Sequence, residues 1–264
     1  HVPVVQSGND RSHADVHRDP GGGQDLHRLE ALFDRRRARL NQPRDPLVQE
    51  RDAQVHLDRS VPVQLLQRTQ GVWHERGVVS SGEDFAWQDR INDLRPPIEI
   101  EGEHDYLTEI HPQAEAFVVS LAERLLAGRG GAAFFLDYGF PEAEYFHPQR
   151  HMGTVMCHQL HQADDNPLVA VGQKDITAHV NFTGVALAGQ NAGLEVLGYT
   201  SQAWFLLNLG LAERMAAASL AERSQAQRLV NEHEMGELFK VIGFSTATDW
   251  SAQGFARGDR SHRL

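Results

Sequence analysis

The chain has 264 residues, with 25 Lys plus Arg against 36 Asp plus Glu and a formal net charge of −11 at pH 7. At about 150 residues per domain that length allows one large domain or two small ones, and the net acidity argues against nucleic acid or anionic lipid as a partner. The single cysteine, Cys157, excludes an intramolecular disulfide and points to a reducing, cytoplasm-like setting. The longest apolar runs, Ala132 to Leu136 and Ala203 to Leu207, fall far short of the roughly 20 residues that cross a bilayer. The opening His1-Val2-Pro3 has neither a basic nor an apolar leader pattern, so no export signal is expected.

Residues 1–60 hold only 17 apolar residues, about 28%, against about 45% in the remainder. Core-forming capacity therefore lies downstream. Ten Arg in this first part balance eight Asp and two Glu, so the whole net charge falls after residue 60. Leu26, Leu29, Phe33 and Leu40 allow one short amphipathic helix, ended by Pro43 and Pro46. The run Arg35-Arg36-Arg37 beside Asp34 reads as a solvated helix face.

From Val61 the pattern changes. Apolar residues flank the polar pair Gln70-Gly71, which predicts two strands joined as a hairpin. His74-Glu75 begins like a zinc-protease helix, but Val78 stands where the second histidine would be required. Residues 80–105, rich in Glu, Asp, Pro and Gly, read as a solvated connection. A helix follows, with Pro112 in its first turn, apolar residues from Ala114 to Leu125 spaced by three and four, and Gly128 at its end. Ala132 to Leu136 then reads as a buried parallel strand. A helix leading into such a strand implies an α/β sheet, whose ligands bind at the carboxyl ends of strands. That places Asp137, Tyr138 and Gly139 at the functional edge.

Asn181 is positioned to cap a helix through Val185 and Leu187, with Gly193 ending it. Leu194 to Leu207 reads as an extended strand, Leu211 to Val230 as one interrupted or two short helices, and Leu238 to Ile242 as a final strand. Residues 245–264 lose periodicity and read as a tail. The region from Gly139 to Asn181 has no clear period and contains His147, His151, His158, His161 and His179 with Asp164, Asp165 and Asp175. A connection that long inside a compact domain is usually functional. Its spacings match no structural zinc pattern, so no metal is assigned and the imidazoles read as hydrogen-bonding or solvated groups. The hydrolase elbow G-x-S-x-G and the phosphate-binding G-x-x-x-x-G-K-[ST] are both absent.

Six ordered segments carry a family likeness: Thr108 to Pro112, Phe135 to Gly139, Gly153 to Cys157, Gly172 to Phe182, Thr200 to Gln202 and Met235 to Lys240. Over about residues 61–243 the chain resembles the MidA-like class I methyltransferases, the group that contains the mitochondrial complex I assembly methyltransferase. Trp73 to Arg76 is similar to the family's hairpin after its fourth strand. The resemblance implies a Rossmann-like α/β sheet, incomplete at its N-terminal half, and S-adenosyl-L-methionine as cofactor. Residues 1–60 depart from the pattern: Gly21-Gly22-Gly23 lacks the preceding apolar strand of a cofactor loop. Of the stretch that ends the family's fourth strand, only Asp58 and Pro62 are echoed. The abrupt step implies that residues 1–60 derive from a shifted reading frame or a joined, unrelated sequence, which the other two frames of the coding DNA would test. The chain is then expected to lack half of its cofactor pocket.

The resemblance further implies methyl transfer to a protein acceptor, an arginine in the characterised mitochondrial member, with a respiratory complex I subunit as partner and, by family analogy alone, a mitochondrial matrix setting. A guanidinium has no free lone pair and a pKa above about 12, so a carboxylate must orient it and help remove its proton. On this reading Asp137, Tyr138, Asp175 and His179 are catalytic. Asp58, Pro62 and Gly139 bind the cofactor, and Glu109, Thr177, Asn181 and Gln202 bind the acceptor. The alternatives are a non-catalytic module whose acidic body engages an Arg-rich segment, and a fragment that folds incompletely because central sheet edges are exposed.

Overall fold

The structure is a computed structural model that describes residues 62–160 and 162–264. The expectations placed on residues 1–60, Asp58 and the triple glycine among them, and on His161 lie outside the described residues. The expected hairpin is present as β1 (Gln64–Thr69) and β2 (Val72–Ser81). Gln70 and Gly71 both have positive φ, 50° and 76°, as a two-residue hairpin turn closing on Thr69 and Val72 requires. Strand β3 (Asp84–Ile91) pairs with β2, which corrects the reading of 80–105 as a wholly solvated connection. Its Phe85 and Trp87 oppose Ser80 and Val78, while the charged residues on either side, Glu83, Asp84, Asp89 and Arg90, masked the alternation. Strand β4 (Tyr106–Ile110) pairs with the other edge of β1, giving the antiparallel order β3-β2-β1-β4. Buried Arg68 pins the link before β4, donating to the carbonyls of Ile100 (2.9 Å) and His104 (3.1 Å).

Helix α1 (Pro112–Ala127) has the predicted first-turn proline. It leads into β5 (Ala132–Phe140), the short α2 (Glu142–Tyr145), and a small sheet of β6 (Met156–Gln159), β7 (Gln162–Asp164) and β8 (Asp175–Thr177) in the order β7-β6-β8. These short elements occupy much of the region where no periodicity was visible. Next come β9 (Val180–Asn181) and α3 (Phe182–Asn191), which is capped as expected: the Asn181 side chain accepts from the N–H groups of Thr183 and Gly184. Gly193, at φ 95°, follows it.

The expected strand from Leu194 to Leu207 is instead β10 (Glu195–Ser201) followed by α4 (Gln202–Asn208). The Ser201 hydroxyl accepts from the Trp204 N–H and so starts the helix, a local signal that the apolar residues beyond it obscured. Two helices, α5 (Leu211–Ala217) and α6 (Leu220–Val230), then the turn-length α7 (Met235–Leu238), precede β11 (Phe239–Ser245). The second sheet has the order β10-β11-β5-β9, with β11 antiparallel to both neighbours. Helices α1 and α3 cover it, and Val118, Ala122, Phe182, Val185, Ile242 and Phe244 form the buried core.

Strand β5 is less buried than its run of apolar residues predicts. It pairs antiparallel with β11 along its length, and parallel with β9 only at Gly139 and Phe140. Phe134 and Leu136 are left 46% and 54% exposed. Hydrophobicity reports a demand for burial, but it does not say which strand supplies the cover. The segment after residue 245 packs back onto the sheet. Arg260 N–H donates to the Tyr199 carbonyl (2.6 Å), Tyr199 N–H donates to Asp259 (2.9 Å), and Phe255 is buried.

Candidate active site

Strand alternation divides the carboxyl end of β5 into two faces. Tyr138 and Phe140 point one way, and Asp137 the other, beside its cross-strand partner Lys240. On the first face His179, two residues beyond β8, lies 5.0 Å from Phe140 in a near-parallel stack and meets Tyr138 edge-on at 5.2 Å. Phe239 closes against Tyr138 at 5.6 Å. The Arg150 guanidinium rests 4.0 Å from the centre of the Phe140 ring. Burial lowers the His179 pKa to about 4, with Arg150 and Lys240 adding to the effect, so the ring is neutral near pH 7. Its Nδ1 is buried without a hydrogen-bond partner among the described residues. Thr177 hydrogen-bonds Tyr138, and burial raises the Tyr138 hydroxyl pKa despite that bond.

Asp137 accepts from the Tyr138 N–H (2.8 Å), and desolvation raises its carboxyl pKa. Asp175 begins β8 opposite His158, with its side chain toward solvent. Being two residues from Thr177 in an extended strand, it projects from the same face as that residue. Gly139 is required for packing: a Cβ there would meet the Val180 carbonyl at 2.1 Å. Asn181 caps α3, and Gln202 donates to the Leu229 carbonyl (2.8 Å). Pro62 precedes β1 in the first sheet, apart from the strand that carries Gly139.

Glu109 is 0% exposed. Its oxygens accept from Thr154 N–H (2.8 and 3.1 Å), Thr154 hydroxyl (3.0 Å), Val155 N–H (3.1 Å) and Tyr145 hydroxyl (3.0 Å). With the Tyr145 proton committed to Glu109, His111 Nε2, 3.0 Å from that hydroxyl, is the donor to it. The Thr154 hydroxyl also accepts from the His179 N–H (3.0 Å). Glu109 thus fixes the loop that holds His179 and has no open oxygen for a substrate. Desolvation raises its pKa in spite of these donors.

Comparisons with known proteins match more than half of the chain. Residues 58–200 match the family described as "Putative S-adenosyl-L-methionine-dependent methyltransferase". The chain belongs to that family. It is 44% identical to a solved, uncharacterized superfamily protein from Burkholderia thailandensis, with a TM-score of 0.70 over 77% of this chain and 57% of that one. A second Burkholderia thailandensis structure, also 44% identical, has a TM-score of 0.69 and contains bound S-adenosyl-homocysteine. The likeness covers 77% of this chain and 55% of that one. The fold is therefore the Rossmann-like class I type, and this methyltransferase-family chain spans little more than half the length of the solved relatives. A search of curated proteins finds no match.

The family's cofactor needs a glycine cradle, and the described glycines do not form one. The Cβ space of Gly139 is filled by β9, while Gly71, Gly82 and Gly172 border open space on positive-φ backbone. Among the described residues no group of three His, Cys, Asp or Glu is placed to hold a metal, and no helix is long and apolar enough to cross a membrane. Sequence reasoning singled out Asp137, Tyr138, Thr177 and His179 and missed Phe140, Tyr145 and Arg150. Thr154, Phe239 and Lys240 lay inside the family segments without a role. Their signal was present, but their partners are far away in sequence.

Proposed function

We propose that this chain is the acceptor-binding portion of an S-adenosyl-L-methionine-dependent methyltransferase acting on arginine in a protein. The carrying observation is the aromatic group of Tyr138, Phe140 and His179, on whose Phe140 ring the chain's own Arg150 guanidinium already lies. A planar cation is held well by such a surface. The cofactor, when bound, supplies an electrophilic methyl group. Tyr138 and Phe140 orient the acceptor guanidinium and exclude water. Asp175, on the Thr177 side of this face, would hold it by hydrogen bonds and accept the proton it gives up. His179, kept neutral by burial, contributes shape and an uncharged edge. A respiratory complex I subunit is the proposed partner, in keeping with the family resemblance, and a reducing compartment the proposed setting.

The test is transfer from methyl-labelled S-adenosyl-L-methionine to Arg-containing polypeptides, with the modified residue located by mass spectrometry. Label on arginine, reduced about 100-fold in Asp175→Asn, is expected. Label on another residue type refutes the acceptor assignment. A non-catalytic binding role is favoured by the partial span of the relatives. It predicts binding of an Arg-rich peptide with no label and no rise in melting temperature on adding the cofactor.

A further inference from the structure

On the opposite side of the strand end lies a cavity of about 370 Å³, lined by Pro141, Glu144, Tyr199, Glu237, Lys240, Arg260 and Arg263 among others. Its charges do not balance. The Glu237 carboxylate serves two cations, Arg260 through contacts of 2.5 and 3.1 Å and Lys240 at 3.3 Å. Lys240 also donates to the Glu237 carbonyl. Arg263 pairs with Glu144 at 3.2 Å. Among the cavity-lining residues three cations thus share two carboxylates, and Asp137, the cross-strand partner of Lys240, is not ion-paired with it. The surplus lies at Lys240 and Arg260, and Lys240 is only 7% exposed.

Tyr199 supplies an independent sign. It is 1% exposed, and its hydroxyl is buried with no hydrogen-bond partner among the described residues. It lines the same cavity as Glu144, Glu237, Arg260 and Arg263. A buried hydroxyl without a partner is destabilising, and a buried surplus cation needs a counter-charge. One group satisfies both: an oxyanion, which accepts from the tyrosine and neutralises the excess cation.

We propose that this cavity is a binding site for a carboxylate or phosphate group, held by Lys240, Arg260 and the Tyr199 hydroxyl. The site goes beyond methyl transfer and does not require it. Lys240 follows Phe239, whose ring closes against Tyr138, so the cavity and the acceptor face are joined by adjacent residues of β11.

The test is the melting temperature of the full 264-residue chain titrated with inorganic phosphate or with succinate, ionic strength being held constant with chloride and no cofactor or acceptor present. A rise that saturates with either oxyanion is expected. The preferred anion then identifies the ligand as phosphate-bearing or carboxylate-bearing. Tyr199→Phe removes one charge-assisted hydrogen bond and weakens binding about tenfold, while the unliganded melting temperature stays equal or rises, because the lost oxygen had no partner. No saturation beyond the chloride control, or equal affinity in Tyr199→Phe and the parent, overturns the proposal. Because nothing is methylated in this measurement, failure of the transferase assay leaves its outcome untouched.

Discussion

Two buried polar clusters flank the carboxyl end of β5, and they are built differently. Around Glu109 every carboxylate oxygen is met by donors from Thr154, Val155 and Tyr145. Around Lys240 one carboxylate is divided between two cations, and a tyrosine hydroxyl goes unmet. A saturated network makes a rigid anchor, because any other arrangement leaves a buried group unpaired. An unsaturated one retains capacity for something from outside. The difference separates the part of the chain that positions its site from the part that can still bind.

Removing the anchor carboxylate should therefore have the largest effect. Glu109→Ala strips two backbone N–H groups and two hydroxyls of their acceptor at once, and the expected loss is about 3 to 5 kcal/mol, read as a lowered denaturant midpoint. A loss below about 1 kcal/mol would mean that water replaces the carboxylate readily and that the cluster is no anchor. The companion expectation is faster hydrogen exchange at Thr154, Val155 and His179, whose N–H groups this network holds.

Acid should attack the same cluster through His111. Its folded pKa is lowered by burial to about 4 from an ordinary 6.5. A histidine depressed on folding contributes stability that is complete above the unfolded pKa and lost as the pH falls toward the folded one. Stability should thus decline between about pH 6.5 and about pH 4, by up to about 1.4 kcal/mol per pH unit for this group. His179, depressed to about 4 by the same cause, adds in the same direction. His111→Gln keeps a donor toward Tyr145 but cannot titrate. Its unfolding free energy against pH should be flatter than the parent's by one proton's slope; parallel curves would remove His111 from the account.

The sequence makes one of these clusters far less visible than the local structure around it. Asn181 as a cap, Pro112 in a first turn, and Gln70-Gly71 as a hairpin turn were all legible, because each rule involves residues within four positions of one another. The strand β5 itself was legible for a related reason: a short apolar run from Ala132 to Leu136 is a local pattern. Glu109 finds Thr154 across 45 positions, and the Arg260 guanidinium finds Glu237 across 23. No period or spacing encodes such pairings. Strand β3 was hidden because the charged residues toward its two ends resemble a loop, and the exposed side of β5 because an apolar run does not name its neighbour. The tail after 245 lacks periodicity for a physical reason as well. It is held by hydrogen bonds to β10 and by single aromatic contacts such as Phe255 against Phe205, not by a repeating face.

The smallest expected effect is the sharpest test of the contrast. Lys240 is buried and ion-paired, so a saturated cluster would lose several kcal/mol on its removal. Here its removal leaves Glu237 with the two-point contact of Arg260 and turns three cations against two carboxylates into two against two. Desolvation already lowers the Lys240 pKa against the pull of Glu237, the mark of a cation whose surroundings do not fully stabilise it. Lys240→Met keeps the apolar stem and discards the charge, and the expected cost is about 1 kcal/mol or less in denaturant unfolding. A cost of the size predicted for Glu109→Ala would mean that the lysine is a structural ion and that its cluster is as closed as the other.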